Sequence, residues 1–187
     1  SLLDTNPENI AALEKLCDLL AEVGDLALTS TVDLLLGVDP NNARGLFHQA
    51  TILQYQGRFD EAIEVVGRSI NADPTNMRTR NLLAILYTRT FQYDRAAASF
   101  LDTLDINPLD PISHNNYGFF LLARGRYEDA VRLYMRAIDL DPENIQGFIG
   151  VGEALRQSGQ SRAATTWYRK ALRLSPGHPI ASMHVDE

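Results

Sequence analysis

Five prolines recur along this chain at a constant interval of 34 residues, at Pro40, Pro74, Pro108, Pro142 and Pro176. A fixed period of this length indicates a stacked-repeat architecture, in which one small supersecondary unit is copied along the chain. Such arrays present long surfaces rather than closed pockets, so the period favours binding over catalysis.

The residues between the prolines predict two helices in each repeat. Apolar residues follow helical spacing over two stretches of about 13 residues. A glycine suited to a left-handed helix end separates the stretches at Gly57, Gly125 and Gly159. The proline then stops the second helix. Two residues after it stands a good N-cap for the next helix, and these caps are Asn42, Asn76, Asp110 and Asn144.

Small and bulky residues recur in the same register. An alanine precedes four of the prolines by 12 residues, at Ala62, Ala96, Ala130 and Ala164. This pattern resembles the tetratricopeptide repeat (TPR) family, most closely in the fourth and fifth repeats. The resemblance implies an all-α fold, a right-handed α-solenoid of stacked helix-turn-helix TPR units in a single array over residues 1–187. Its repeats are expected at about residues 10–40, 43–74, 77–108, 111–142 and 145–176, with the start of a truncated or capping helix over 177–187.

Three features depart from the regular pattern. The first repeat is one residue short between Gly24 and Pro40, so its second helix is expected to be shifted or to start irregularly. Phe91 stands where glycine is usual; because a left-handed bulky residue costs about 1 kcal/mol or more, a different turn is expected there. Residues 2–9 resemble the tail of a preceding repeat, which predicts either that the chain is a fragment of a longer protein or that its ends pair with another surface.

Charge and composition narrow the classes of partner. The net charge is −7, and residues 1–40 hold eight acids and one base, so the excess belongs to the first repeat. A nucleic-acid partner is not expected, because such binders carry a basic face. No apolar run approaches the roughly 18 residues that span a bilayer. The single cysteine, Cys17, is expected to be buried and inert. Fifteen arginines against two lysines favour a bacterial source. The sequence leaves the location open, with the cytoplasm favoured over the periplasm.

The resemblance also suggests which residues face a partner, because the first helix of each TPR unit lines a concave groove. Transferring those positions to this sequence gives a set of candidate groove residues. They are Arg44, Phe47, His48, Tyr55, Arg78, Asn81, Ile85, Arg89, Asn115, Asn116, Phe119 and Arg156.

Each pattern within the groove has an alternative interpretation. The acidic stripe of Glu14, Asp18 and Glu22 is either a binding face or an ordinary solvated surface. Arginine and asparagine side chains suit acidic groups and peptide backbone, or they form intramolecular pairs and caps. Large apolar residues predict an exposed patch for a partner, or the register is one residue off and they belong to the core. These apolar residues include Leu82, Leu122 and Ile149.

No catalytic, metal or cofactor motif is found, and the four histidines, which are expected at the surface, form no metal-binding pair. The predicted function is a non-enzymatic scaffold that binds a peptide or protein segment in the concave groove. One alternative is a self-assembling module, for example in pilus or secretion assembly, since residues 115–121 are similar to one repeat of type IV pilus assembly lipoproteins. The other is the targeting region of a larger glycosyl- or sulfotransferase.

Overall fold

The chain is helical, as predicted, and a computed structural model describes residues 9–185. Eleven helices and no strand lie in that range. They are α1 (Ile10–Val23), α2 (Ala27–Val38), α3 (Ala43–Tyr55), α4 (Phe59–Ala72), α5 (Met77–Arg89), α6 (Tyr93–Ile106), α7 (Pro111–Ala123), α8 (Tyr127–Leu140), α9 (Ile145–Gln157), α10 (Ser161–Leu174) and α11 (Pro179–Met183).

The first ten helices form five helix-turn-helix pairs, one for each predicted repeat. Helices pack directly against each other within the pairs α1–α2, α3–α4, α7–α8 and α9–α10. The second helix of a pair also packs on the first helix of the next pair at α2–α3, α4–α5 and α8–α9. This consecutive packing is the helix-turn-helix stacking that the 34-residue period predicts.

All four predicted N-caps are confirmed. Each cap side chain accepts a hydrogen bond from the backbone N–H three residues later, which satisfies a donor that the first helical turn leaves open. The four bonds are Asn42 to Gly45 at 2.9 Å, Asn76 to Thr79 at 3.3 Å, Asp110 to Ser113 at 3.0 Å and Asn144 to Gly147 at 2.9 Å.

The turn at Phe91 is the same left-handed turn that glycine makes elsewhere, so the expectation of a different turn is wrong. Phe91 has φ of 60°, against 75° for Gly57 and 73° for Gly125. The backbone N–H groups of Phe91 and Gln92 reach carbonyls of the preceding helix at 3.2 and 2.8 Å. These two hydrogen bonds, and an edge-to-face contact of the Phe91 ring with Tyr93, offset the strain of the left-handed backbone.

The second helix of the first repeat starts irregularly, as predicted. Helix α2 begins three residues after Gly24 and has 12 residues, whereas α4 begins two residues after Gly57 and has 14. Leu26, which precedes α2, already has helical backbone angles and forms no side-chain cap bond. Asp25 supplies the missing acceptor, because its carboxylate accepts a hydrogen bond from the Ala27 N–H at 2.8 Å.

Glycines let the fourth and fifth repeats pack closely around two buried tyrosines. A Cβ placed on Gly150 would lie 2.4 Å from the ring of Tyr134, and one on Gly118 would lie 3.0 Å from the same ring. A Cβ on Gly152 would lie 2.7 Å from the ring of Tyr168. Tyr134 and Tyr168 are 4% and 1% exposed, so the missing side chains make room for the largest residues of this core.

The structure divides into two compact units between Ser99 and Phe100. A single array over residues 1–187 therefore stays a prediction. Of the predicted preceding-repeat tail, residues 2–8 lie outside the described range, and Asn9 caps α1. The segment after Pro176 forms the short helix α11, which packs on α10.

Candidate functional site

The second unit contains a groove of about 780 Å³ along the first helices of its repeats. We call it the second-unit groove. Most of its lining comes from three helices that occupy equivalent places in the repeat pattern, α7, α9 and α11, and the rest comes from Tyr134 in α8 and the loop residues Asp141 and Asn144. Among the predicted residues, Asn115, Asn116 and Phe119 lie in this lining.

Apolar side chains form the exposed walls of the second-unit groove. Phe119 is 67% exposed, Ile112 is 62% exposed and Met183 is 69% exposed. Leu122 and Ile149 form the floor and are almost fully buried. Exposed apolar side chains grouped in a concave surface are typical of sites that a partner covers.

Asparagine side chains lie between the walls. The Asn115 amide donates a hydrogen bond to the side-chain oxygen of Asn144 at 2.9 Å, and that same oxygen caps α9. Asn115 is thereby fixed to the start of the next repeat. Its own buried carbonyl oxygen has no hydrogen-bond partner among the described residues. Asn116, which is half-buried, presents a further amide to the groove.

Glu153 is the charged centre of the groove floor. Its carboxylate accepts hydrogen bonds from Arg156 at 2.9 Å and from the Tyr168 hydroxyl at 2.7 Å, and His184 lies 3.6 Å away. Burial alone would raise the pKa of Glu153, but the bonds from Arg156 and Tyr168 lower it below its ordinary value. Burial, and donation to Glu153, raise the pKa of Tyr168. Arg156 is therefore paired with Glu153 and is not available to a ligand.

In the first unit, two residues of the predicted acidic stripe pair with α3, the first helix of the next repeat. Asp18 lies 2.9 Å from His48 and 3.3 Å from Arg44. Glu14 accepts a hydrogen bond from the Asn42 amide at 2.8 Å. Two of the three carboxylates thus hold α1 against the start of α3, and only Glu22 is exposed without an ion pair among the described residues.

Two predicted groove arginines of the first unit lie over aromatic rings. The Arg78 guanidinium lies 6.0 Å from the ring centre of Phe47, and that of Arg89 lies 5.3 Å from the ring centre of Phe59. A cavity of about 230 Å³ brings Phe47, His48 and Arg78 together with Asp18 and Glu22. The remaining candidates of this unit differ in exposure: Tyr55 is 87% exposed, Ile85 is half-buried and Asn81 is buried.

The sequence matches models of a known repeat family along most of its length. A tetratricopeptide repeat model matches residues 47–111 and 121–179, and a second one matches residues 99–132. Together these segments cover well over half of the 187 residues. The chain belongs to the tetratricopeptide repeat family. Repeats of this family are in general protein-binding modules rather than enzymes, and the chain is a protein-interaction scaffold in that broad sense.

Several solved structures share the TPR fold with this chain. YrrB, a TPR protein with an unusual peptide-binding site, is 18% identical, with a TM-score of 0.65 over 100% of this chain and 96% of YrrB. The thermophilic TPR protein TTC0263 of Thermus thermophilus is 18% identical, with a TM-score of 0.81 over 95% and 97% of the two chains. Yeast Tom70 is 20% identical, with a TM-score of 0.79 over 98% of this chain and 39% of Tom70.

These identities show the fold alone. No curated protein matches the sequence. Within residues 9–185, no helix combines the length and apolar character needed to cross a membrane. In the same range, no group of three or more His, Cys, Asp or Glu side chains is placed to hold a metal ion.

Of the two interpretations of the large apolar residues, the core interpretation holds for Leu82, Leu122 and Ile149, which are 6%, 8% and 5% exposed because neighbouring helices cover them. The expectation that the histidines lie at the surface is wrong for two of them. His48 and His114 are 3% and 8% exposed. His48 is held by Asp18, and the His114 ring lies 2.9 Å from the Pro108 carbonyl oxygen.

The sequence analysis missed the contribution of α11 to the groove. Ile180, Met183 and His184 line the second-unit groove, and they follow the groove residues Gln146, Ile149 and Gly150 by 34 residues each. The period that located the prolines was therefore sufficient to find them. Cys17, by contrast, is buried as predicted, and burial with the nearby charges of Asp18 and Glu14 raises the pKa of its thiol to about 11.

Proposed function

We propose that the chain binds a short segment of a partner protein in the second-unit groove. The observation that carries the proposal is the exposure of Phe119, a large aromatic side chain, within a concave lining that also presents amide groups. Aromatic residues set in concave, partly polar surroundings are the usual energetic centres of protein interfaces.

The chemistry of the lining suggests the properties of the bound segment. Ile112, Phe119 and Met183 offer apolar contacts, while Asn116, Gln146 and Gln157 offer both donors and acceptors to a peptide backbone. Glu153 is already paired with Arg156, so the segment does not need a strong charge of its own at that place. A segment with apolar anchors at two or more positions fits these groups best. The peptide-binding site of YrrB is a precedent on the same fold.

The test starts from peptides selected on the wild-type protein from a phage-displayed random library. Their affinity for the protein is then measured by fluorescence anisotropy. Phe119→Ala is expected to weaken binding about tenfold or more, the loss that defines an interface hot spot. Leu101→Ala is the matched control, because Leu101 is a 50% exposed apolar residue of the same unit outside the groove lining.

Tyr55→Ala asks whether binding extends to the predicted groove residues of the first unit, since Tyr55 is 87% exposed there. A loss of affinity in Phe119→Ala alone places the segment in the second-unit groove. If Phe119→Ala binds the selected peptides as tightly as Leu101→Ala does, the proposal is wrong.

A further inference from the structure

Helix α10 carries a stripe of three arginines on one face. Arg162, Arg169 and Arg173 stand at positions i, i+7 and i+11, which a helix brings to the same side over about 16 Å. All three are exposed. With Lys170, helix α10 has four basic residues and no acid. We call the three arginines the basic stripe.

No other second helix of a full-length repeat has a base at these places. The nine residues that precede the basic stripe by 34, 68 and 102 positions are acidic, apolar or neutral. They are Glu128, Met135 and Asp139 in α8, Asp94, Leu101 and Asp105 in α6, and Asp60, Gly67 and Asn71 in α4. The basic stripe is therefore not required by the repeat architecture, which forms without it elsewhere.

The basic stripe also has no ion-pair or hydrogen-bond partner for its side chains within residues 9–185. Other arginines are used within the fold: Arg44 and Arg156 pair with carboxylates, and Arg68 donates a hydrogen bond to the Pro40 carbonyl. None of the three stripe arginines forms an ion pair or a side-chain hydrogen bond with the described residues. Arg162 stands in the first turn of α10, where helices α4, α6 and α8 have acids. A positive charge there opposes the helix dipole, so local stability does not explain its presence.

The complementary charge lies in the first helix pair of the same sequence. Between residues 9 and 40 there are six acids and one base, against one acid and five bases between residues 145 and 185. Glu22 in α1 and Asp33 in α2 are exposed and form no ion pair among the described residues. Near Glu22, the apolar side chains of Val23 and Leu26 are 76% and 95% exposed.

We propose that the basic stripe binds the acidic first helix pair, α1–α2, of a second copy of this chain. Each copy then offers one basic and one acidic surface, so the contact is heterologous. Repeated from copy to copy, such a contact produces either a closed ring or an open chain of molecules. The rest of the chain is neutral or acidic, which disfavours an extended polyanion as the partner. Because the charges are exposed and screened by salt, the association is weak and salt-dependent.

The test is sedimentation velocity of the chain across a range of concentrations, at about 0.05 M and about 0.5 M NaCl, where screening differs several-fold. The wild type is expected to sediment faster as concentration rises at low salt, and as a monomer at high salt. The variant Arg162→Glu/Arg169→Glu/Arg173→Glu is expected to associate at least tenfold more weakly. Phe119→Ala, in the second-unit groove, is expected to associate as the wild type does, which separates this inference from the proposed function.

A charge swap makes the test specific. The variant Glu22→Lys/Asp33→Lys is expected to be a monomer alone, and also to form a mixed complex with the triple arginine-to-glutamate variant at low salt. Circular dichroism confirms that both variants are folded, which is expected because the altered side chains are exposed. A wild type that stays monomeric at low salt overturns the proposal. So does association that survives in the triple variant, or a wild-type monomer whose basic stripe binds an oligonucleotide or anionic phosphatidylserine vesicles instead.

Discussion

Gly150 offers the sharpest test of how the fourth and fifth repeats pack. In Gly150→Ala the new Cβ would lie 2.4, 2.5 and 2.6 Å from three ring atoms of Tyr134, whereas ordinary contacts begin at 3.4 Å. The ring must therefore move by about 1 Å, and overpacking of this kind costs about 1–3 kcal/mol. Tyr134 is 4% exposed and also lies against Gly118, so it has little room to move.

The same substitution has a favourable part, because alanine is about 1 kcal/mol better than glycine inside a helix. If the overpacking costs about 3 kcal/mol and the alanine gains about 1 kcal/mol, Gly150→Ala lowers the free energy of unfolding by about 2 kcal/mol. Gly67→Ala in α4 isolates the favourable part, since no atom lies within 4 Å of the Cβ it adds. That variant is expected to gain up to about 1 kcal/mol.

The assay is urea unfolding followed by the fluorescence of Trp167, the only tryptophan of the chain, which stands in α10 and contacts Phe148 in α9. Because repeat proteins often unfold in more than one step, Trp167 reports on the last repeats, and the circular dichroism of the whole chain is followed as well, so that Gly67→Ala in α4 and Gly150→Ala can be compared. In a double-mutant cycle, Gly150→Ala is expected to stop being destabilising when Tyr134→Ala has removed the ring. A Gly150→Ala variant as stable as Gly67→Ala would refute the packing argument.

Three further effects are expected. Phe91→Gly is expected to raise the free energy of unfolding by up to about 1 kcal/mol in urea. Removing the strain of a left-handed phenylalanine gains about 1–2 kcal/mol, which exceeds the cost of about 0.5–1 kcal/mol for the greater backbone freedom of glycine in the unfolded chain. A lower free energy of unfolding would mean that the ring contact with Tyr93 dominates. Cys17 is expected to resist thiol reagents in the folded chain. Between about pH 9 and 11, the free energy of unfolding of the wild type is expected to fall more steeply with pH than that of Cys17→Ala, because only the unfolded thiol loses its proton in this range. Equal slopes for the two proteins would contradict the raised pKa of Cys17. Arg162→Glu is expected to raise the melting temperature slightly, because a negative charge at the start of α10 interacts favourably with the helix dipole and adds about 0.3–1 kcal/mol to the free energy of unfolding. Arg169→Glu, in the middle of the helix, is the control.

Local signals in the sequence were enough for most of the fold. Asn42, Asn76, Asp110 and Asn144 cap helices because the side chain and the N–H it accepts from are only three residues apart. The irregular start of α2 followed from counting residues between Gly24 and Pro40. The same 34-residue period also places Ile180, Met183 and His184 in the groove, 34 residues after Gln146, Ile149 and Gly150.

The candidate site was predicted less well, because exposure depends on helices distant in sequence. The repeat alignment placed Leu82, Ile149 and Phe119 alike in the groove, yet neighbouring helices cover the first two and leave Phe119 exposed. The sequence likewise left open whether Arg44 and Arg156 were free for a ligand, and carboxylates positioned by the fold pair with both.

The sequence by itself determined the repeat length, the helix boundaries, the caps and the membership of the TPR family, because these depend on hydrogen bonds and apolar spacing within a few residues. Only the tertiary structure decided the burial of His48 and the lining of the second-unit groove. In these cases, packing and pairing with other helices outweigh local preference. The same neighbours leave Phe119 and the basic stripe exposed, and these surfaces are the ones on which partner binding is proposed.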